Sequence, residues 1–439
     1  MQIRKAIESS KARIGVVGLG YVGLPLALEF ARKFSVIGYE IDDRKREMLS
    51  SGKSYLDDVT SEVLAELLES SFTIAETPSD LKDCDVLIIC VPTPVDSNGD
   101  PDLSYIRRSS EIAKEIAHRG MLIILESTSY PGTTEEFLGT AIKDAGLKPG
   151  VDVALAFSPE RVDPGNTKYN IRNTPKVVGG VDRRSTEVAA ALYSTIVEAG
   201  VISVNDCRTA EATKIVENIF RGVNIALINE LALVFEKMNI NTWDVVRAAS
   251  TKPFAFLAHY PGPGVGGHCI PLDPLYLSFK ARQYGIEPRF VELSREVNES
   301  MKRHTVELVT AALEAAQVSP RSATVAVMGL AYKKNISDTR ESPSTGIIEM
   351  LSARVKDVVV HDPFAISITT STRRYDSEPL AKVLESADCL VFITDHDEYT
   401  KLAPSDFAGK RVKAIVDTRN LFDGEEISRI GVEYRGIGK

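Results

Sequence analysis

The stretch "RIGVVGLGYVGLPLA", Arg13 to Ala27, passes from a short β-branched run into an amphipathic one through three glycines spaced G-x-G-x-x-G. Strand, glycine turn and helix in that order form the phosphate-binding corner of a dinucleotide site. Gly18 permits the tight turn, Gly20 lets backbone approach a pyrophosphate, and Gly23 lets helix and strand pack closely. Tyr21 and Val22 then stand at the helix N-terminus, whose N–H groups and dipole favour the phosphates.

The next strand ends "GYEIDD", which places Glu40 and Asp42 where a ribose-binding acid is expected. A carboxylate there repels a 2′-phosphate, so NAD is the expected cofactor. Arg44 and Lys45 follow closely and keep NADP open. "CVPTP" (Cys90–Pro94) and "ESTSYPG" (Glu126–Gly132) bring hydroxyl-bearing, proline-stiffened loops to strand ends. Thr93 and Thr128 are the candidates there, because open α/β sheets bind ligands at that edge.

Working outward, "SVIGYEID", "DVLIICVP", "MLIILEST", "VALAFSPE", "KVVGGV" and "GVISVND" read as further strands, with helical stretches between several of them. Such alternation predicts a doubly wound parallel sheet buried on both faces. From Glu211 the pattern becomes helical for many turns without proline, with Asp206 or Thr209 as its cap. A second long helix ends at Ser319-Pro320. Strands then return in "ATVAVMGLAYK", "VKDVVVHDP", "ADCLVFITD" and "VKAIVDTRN". The expected fold is α/β, two Rossmann-like doubly wound sheets joined by a helical middle, with divisions at 1–205, 206–318 and 319–439.

Bulk properties narrow the function. The 439 residues are 44% apolar and 26% charged, with a net charge of −9. That acidic balance and the lack of a long Lys/Arg block argue against nucleic acid as a partner. The basic N-terminus followed by an apolar run imitates a secretion signal, but glycines break the run and no small-residue cleavage site follows. No apolar stretch is expected to span a membrane, and a cytoplasmic location is expected.

Five cysteines without paired spacing give no sign of disulfides or structural zinc, and six scattered histidines give no sign of any metal. Cys84, Cys90 and Cys389 lie in strand-like runs and read as core; Cys207, at a strand-to-helix junction, reads as structural. Cys269 differs. It sits in "PGPGVGGHCIPLDP" (Pro261–Pro274), either an ordinary tight turn or a thiol presented to a substrate.

On the second reading Pro271 opens a helix, placing Cys269 just before a helix N-terminus that lowers its pKa. Gly264, Gly266 and Gly267 would leave room for a sugar, and Asp273 could position a hydrolytic water. A reactive thiol can trap an aldehyde and carry it to a thioester, dividing a four-electron oxidation into separate steps. Lys214 and Asn218, four residues apart on the long helix, share a face and would support that sulfur. The plain alternative, a solvent-facing lysine, is weakened by the apolar neighbours Ile215, Val216 and Ile219, which are expected to be buried. His268 reads equally as a general base, a substrate-facing side chain or a packed one.

Together these motifs, with "SPERVDPGN", "KIVENIFRGVNIALINELA" and "GLAYKKNISDTRESP", resemble the UDP-glucose/GDP-mannose dehydrogenase family nearly end to end. These NAD-dependent enzymes oxidise a nucleotide sugar at C6 to the uronate. The resemblance implies Cys269 as nucleophile and Lys214 as its electrostatic partner, with Asn218, Asp273, Thr128 and Glu160 handling substrate oxygen and water. It also implies a dimerising central domain and a UDP-binding C-terminal domain, where Lys333, Lys334 and Arg340 would meet the diphosphate.

Where UDP-glucose members resemble "SPEFLREG", this chain has "SPERVDPG", so their second glutamate falls on Pro164. That departure is similar to the branch acting on UDP-N-acetylhexosamines. UDP-N-acetylglucosamine is the first expectation, with UDP-glucose and the manno and galacto N-acetyl epimers as alternatives. Arg161, Val162, Arg221 and Gly264 would contact that substrate. A surface polysaccharide is the expected destination of the product. Two rivals stand beside this reading: a two-electron β-hydroxyacid-type dehydrogenase, which does not need Cys269, and a non-catalytic sensor of NAD and nucleotide sugar.

Overall fold

The computed structural model describes residues 2–56, 58–96, 99–162, 166 and 168–439. Two compact units are resolved, residues 1–217 with 275–286, and residues 218–274 with 287–439.

The first unit is built on strands β1 (Arg13–Val17), β2 (Ser35–Tyr39), β3 (Phe72–Ile74), β4 (Val86–Ile89), β5 (Leu122–Leu125), β6 (Ala154–Phe157), β7 (Lys176–Gly180) and β8 (Val201–Ser203). Their order is β3-β2-β1-β4-β5-β6-β7-β8. Successive side chains point to opposite faces. Ile14, Val16, Val86, Ile88, Leu122 and Ile124 therefore enter one apolar layer, and Val17, Leu87, Ile89, Ile123 and Leu125 enter the other. The expected burial on both faces holds. The expected parallel pairing fails at one place, because β6 and β7 run antiparallel, Ala156 opposite Gly180. The chain order reverses between β1 and β4, which opens the ligand crevice at their carboxyl ends. The short β3 was not legible in the sequence.

The second unit contains β9 (Thr324–Met328), β10 (Asp357–His361), a small hairpin of β11 (Ser367–Thr369) and β12 (Arg374–Asp376), β13 (Cys389–Phe392), β14 (Ala414–Asp417) and β15 (Glu433–Gly436). Its parallel sheet has the order β10-β9-β13-β14-β15. Layers again alternate, Val325, Val327, Val360 and Val391 on one face and Ala326, Met328, Leu390 and Phe392 on the other.

The helix Cys207–Lys237 is 31 residues long. Asp206 is its cap, since Oδ1 accepts from the Thr209 N–H at 2.7 Å. By length and composition it reaches the dimensions of a membrane span, contrary to the expectation that no stretch does. Its buried Asn229 nevertheless donates to Asn298 Oδ1 at 2.9 Å and accepts from the Gly262 N–H at 2.9 Å, which fits packing against protein rather than lipid. Val216 corrects a second expectation: it is 61% exposed, and Phe220, Leu227 and Val234 continue an exposed apolar stripe along the helix, with exposed Met238 just past its end.

Candidate active site

The glycine corner separates its three roles by space. A Cβ on Gly23 would lie 1.8 Å from the Gly18 carbonyl oxygen, and one on Gly18 only 2.5 Å from the Cys90 oxygen. Gly18 also holds φ at +87°, a region that favours glycine. A Cβ on Gly20 would meet nothing within 4 Å. Two glycines thus serve packing, and the third faces an open cradle. The helix after it, Gly23–Ala31, has no side-chain cap at Val22; the Leu24 N–H is taken by the Gly20 carbonyl at 3.1 Å, and the positive end of the helix dipole is what favours an anion there.

Glu40 follows β2 and is buried, its Oε2 accepting from the Leu19 N–H of the glycine corner at 3.0 Å. Oε1 accepts from the Asp42 N–H at 3.1 Å. Asp42 itself caps the next helix, bound to the Arg44 and Lys45 N–H groups, and Arg44 is exposed. Of the two candidate acids, Glu40 is the one tied to the cradle. An open space, an uncapped helix start and a carboxylate at the end of β2 fit NAD.

Thr93 is half-buried, and its carbonyl accepts from the Tyr276 hydroxyl. Thr128 is half-buried in the loop after β5. That loop is pinned from the long helix. The buried Glu211 carboxylate accepts from the Gly132 N–H, and at 2.8 and 2.7 Å from the Thr134 N–H and hydroxyl. Burial pushes Glu211 up to about 7 against the pull of those donors.

Beside this lies a buried ion cluster. Lys176, the first residue of β7, donates to Glu126 Oε2 at 2.8 Å and to Glu160 Oε2 at 2.9 Å. The Tyr193 hydroxyl donates to the other Glu126 oxygen. Glu160 Oε1 accepts from the backbone N–H groups of Arg161 (2.9 Å) and Val162 (2.6 Å). Burial opposes ionisation of Glu160, but Lys176 outweighs it, with help from Lys214, and holds the carboxyl below its usual range. Arg161 pairs with Glu217 at 2.7 Å and donates to the Pro175 carbonyl. Pro164, where the family's second glutamate falls, lies outside the described residues.

In the second unit the buried Asn218 amide donates to the buried Asp273 carboxylate. Cys269, exposed, is the first residue of the helix Cys269–Gln283 rather than the residue before it, and Asp273 follows one turn later. A Cβ on Gly222, one turn beyond Asn218, would stand 3.3 Å from the Ile270 side chain. The absent side chain lets the Asn218 helix lie close to the thiol-bearing segment. Lys214 is half-buried on the same long helix, one turn before Asn218. The other cysteines behave as core, with Cys84 pushed up to about 11 by burial and Cys207 donating to the Gly179 carbonyl.

The glycines before Cys269 do not leave room for a sugar as expected. A Cβ on Gly266 would lie 2.7 Å from Tyr332 Cβ, and one on Gly267 2.8 Å from the Tyr332 ring. Gly264, at φ +119°, is backed by the Asn298 carbonyl at 3.2 Å. Protein fills those gaps, so these glycines seat the segment against Tyr332 and Pro343. Desolvation, and then the charge of Arg340, push His268 below the usual imidazole range.

Arg340 is exposed and forks onto Asp338, at 2.8 and 2.6 Å. Lys334 pairs with Asp397 at 3.4 Å, and Lys333 is half-buried. The expected positive cluster is thus partly neutralised by acids of its own unit. Arg221 is exposed. Among the described residues no group of three or more His, Cys, Asp or Glu is arranged to hold a metal.

Comparison with known proteins covers the whole arrangement. Three models of the UDP-glucose/GDP-mannose dehydrogenase family match in order: the NAD binding domain at 12–197, the central domain at 208–300 and the UDP binding domain at 326–424. The UDP-N-acetyl-D-mannosamine dehydrogenase of Pyrococcus horikoshii is 38% identical over 97% of this chain and 99% of its own. The UDP-N-acetyl-D-glucosamine 6-dehydrogenase of Pseudomonas aeruginosa is 35% identical over 94% of this chain and 98% of its own. A solved structure of a UDP-D-ManNAc dehydrogenase from Pyrococcus horikoshii superposes with a TM-score of 0.89, at 37% identity, over 97% of this chain and 99% of that one. Glycine cradle, order of domains and end-to-end similarity agree, and the chain belongs to the UDP-glucose/GDP-mannose dehydrogenase family of NAD-dependent nucleotide-sugar dehydrogenases.

Proposed function

We propose that this protein oxidises a UDP-N-acetylhexosamine at C6 to the uronate through a covalent intermediate on Cys269. The balance is one primary alcohol, one water and two NAD giving one carboxylate, two NADH and three protons. The Cys269 thiolate adds to the intermediate aldehyde; the resulting thiohemiacetal is oxidised to a thioester, and water releases the acid and restores the thiol. Gly18, Gly20, Gly23 and Glu40 hold NAD, which supplies the two-electron acceptor for each oxidation.

The observation that carries the reading is the Asn218–Asp273 hydrogen bond one helical turn from exposed Cys269. An amide that fixes a buried carboxylate beside a thiol gives it a set direction for orienting water. Lys214 supplies positive charge for the developing alkoxide. Thr128 and Glu160, from the loops after β5 and β6, handle the substrate oxygen and the water. Arg161, Val162, Arg221, Lys333 and Arg340 contact the nucleotide sugar.

The test is the NADH yield. Two NADH per sugar, with uronate formation abolished in Cys269→Ala, fits the four-electron route. One NADH per sugar sinks it in favour of the two-electron rival, and no NADH with any UDP-sugar revives the sensor.

"SPERVDPGN" favours UDP-N-acetylglucosamine as first substrate. The relative at 38% identity named for UDP-N-acetyl-D-mannosamine favours the C2 epimer as the second reading. Comparing kcat/KM for the two decides between them. The exposed stripe Val216, Phe220, Leu227 and Val234 supports a homodimer through the long helix, with the chain divided as 1–205, 206–318 and 319–439. Sedimentation as a monomer at micromolar concentration would remove that part.

A further inference from the structure

The ion cluster of the first unit does more than a stable core needs. Lys176 is 4% exposed and Glu126 1%, while Tyr193 is fully enclosed. One ammonium serves two carboxyl groups where water is nearly absent, and burial pushes Glu126 up against the pull of Lys176. Apolar side chains of similar volume would hold a fold at least as well, whereas removing one partner strands a buried charge. An arrangement with that cost calls for a geometric reason.

The hydrogen bonds supply one. Glu126 opens the loop that carries Thr128, and Glu160 opens the loop that carries Arg161 and Val162. The single Nζ of Lys176 reaches both carboxylates, at 2.8 and 2.9 Å, across 50 and 16 residues of sequence. Both oxygens of the Glu160 carboxylate are then held in direction. One oxygen goes to Lys176, and the other to the N–H groups of Arg161 and Val162. Tyr193 directs Glu126 in the same way. Lys176 is thus the point through which two loops at the carboxyl edge of the sheet share one orientation.

We propose that Lys176 is a positioning residue for the nucleotide-sugar reaction, tying the Thr128 loop to the Glu160–Arg161–Val162 loop so that the sugar meets both in one fixed geometry. This rests on the substrate reading above. Lys176 itself does not touch the reacting atoms; it acts through Glu160 and Glu126. It also favours the ionised form of Glu160. Loss of Lys176 therefore alters the loop geometry and raises the pH at which Glu160 loses its proton.

The test uses the full-length enzyme and three variants: Lys176→Met, the double variant Lys176→Met/Glu126→Gln, and Lys176→Arg. The double variant removes one of the two stranded carboxylates and so protects folding. NAD affinity and thermal unfolding are read beside kcat/KM for UDP-N-acetylglucosamine and UDP-N-acetylmannosamine across pH 5.5–9. The expected result for the double variant is unchanged NAD affinity and a kcat/KM lowered about thirtyfold or more, with the acid limb moved up by about one pH unit. Lys176→Arg, which keeps a cation in place, is expected to recover most of the activity and the original limb.

A folded double variant with wild-type kcat/KM and an unmoved limb overturns the proposal, as does a Lys176→Arg enzyme no better than Lys176→Met. Wild-type enzyme that oxidised neither sugar would sink the substrate reading first and this proposal with it. The two failures are therefore distinct.

Discussion

Replacing each of two glycines by alanine separates packing from ligand approach at the cofactor corner. At Gly23 the new Cβ would lie 1.8 Å from the Gly18 carbonyl oxygen and 3.0 Å from Cys90 Cβ. A carbon needs about 3.2 Å or more from a backbone oxygen, so helix and corner must separate by about 1.4 Å, through close-packed surroundings. Overpacking of that kind costs about 3 kcal/mol, which lowers the unfolding midpoint of a unit this size by about 6–12 °C. At Gly20 nothing stands within 4 Å of the added carbon and no left-handed φ has to be kept. Gly20→Ala should therefore melt within about 2 °C of wild type, or slightly higher because alanine restricts the unfolded chain. Its methyl group instead occupies the space of the pyrophosphate, and NAD affinity should fall about tenfold or more, a loss of about 1.4 kcal/mol. Thermal unfolding without cofactor and NAD titration calorimetry measure the two quantities. Equal destabilisation by both substitutions, or wild-type NAD affinity in folded Gly20→Ala, would refute the assignment of roles.

Three further outcomes follow from the structure. Burial raises Glu211 to about 7, so the stability linked to it is fully present below the unfolded value of 4.5 and is lost as pH rises through about 7. The melting temperature of wild type relative to Glu211→Gln should accordingly increase from pH 8 to pH 5, and a difference independent of pH contradicts the assignment. Asp362 shows the opposite sign. Burial opposes its ionisation, but His396 at 3.0 Å and the Leu330, Ala331, Phe364 and Ala365 N–H groups hold it at about 2. Its contribution, about 2 kcal/mol, is present above pH 3.8 and lost as pH falls toward 2, and Asp362→Asn should remove it, as acid-unfolding curves of the two proteins would show. Gly222→Val, which forces side-chain bulk toward Ile270, should lower turnover about tenfold or more at unchanged NAD affinity; full turnover would deny that close approach of the helix matters.

Much of this protein is written in local pattern. Three glycines between a strand and a helix identify the cofactor corner because a tight turn, an open approach and close packing each exclude a side chain. Short continuous apolar runs, rich in β-branched residues, identify nearly every long strand, since both faces of each sheet are covered. Cys269, Asp273, Lys214 and Asn218 stood out because helical spacing and the glycine-proline frame can be read without coordinates. What escaped was short or polar: β3 is three residues long, β15 reads EYRG without an apolar run, and Lys176 reads like any lysine at a strand start.

Only tertiary structure decided what fills the space beside each glycine. Gly20 faces an opening, while Gly266 and Gly267 are backed by Tyr332, and no local pattern distinguishes a glycine kept for a ligand from one kept for a neighbouring ring. Likewise the pairing of Lys176 with Glu126 and Glu160, and of Glu211 with Gly132 and Thr134, joins residues far apart in the chain. The sequence by itself determined which residues are able to bind a dinucleotide and present a thiol. Folding determined which charges are removed from water and what each must hold, because burial and long-range partners belong to the packed chain and not to its neighbours along it.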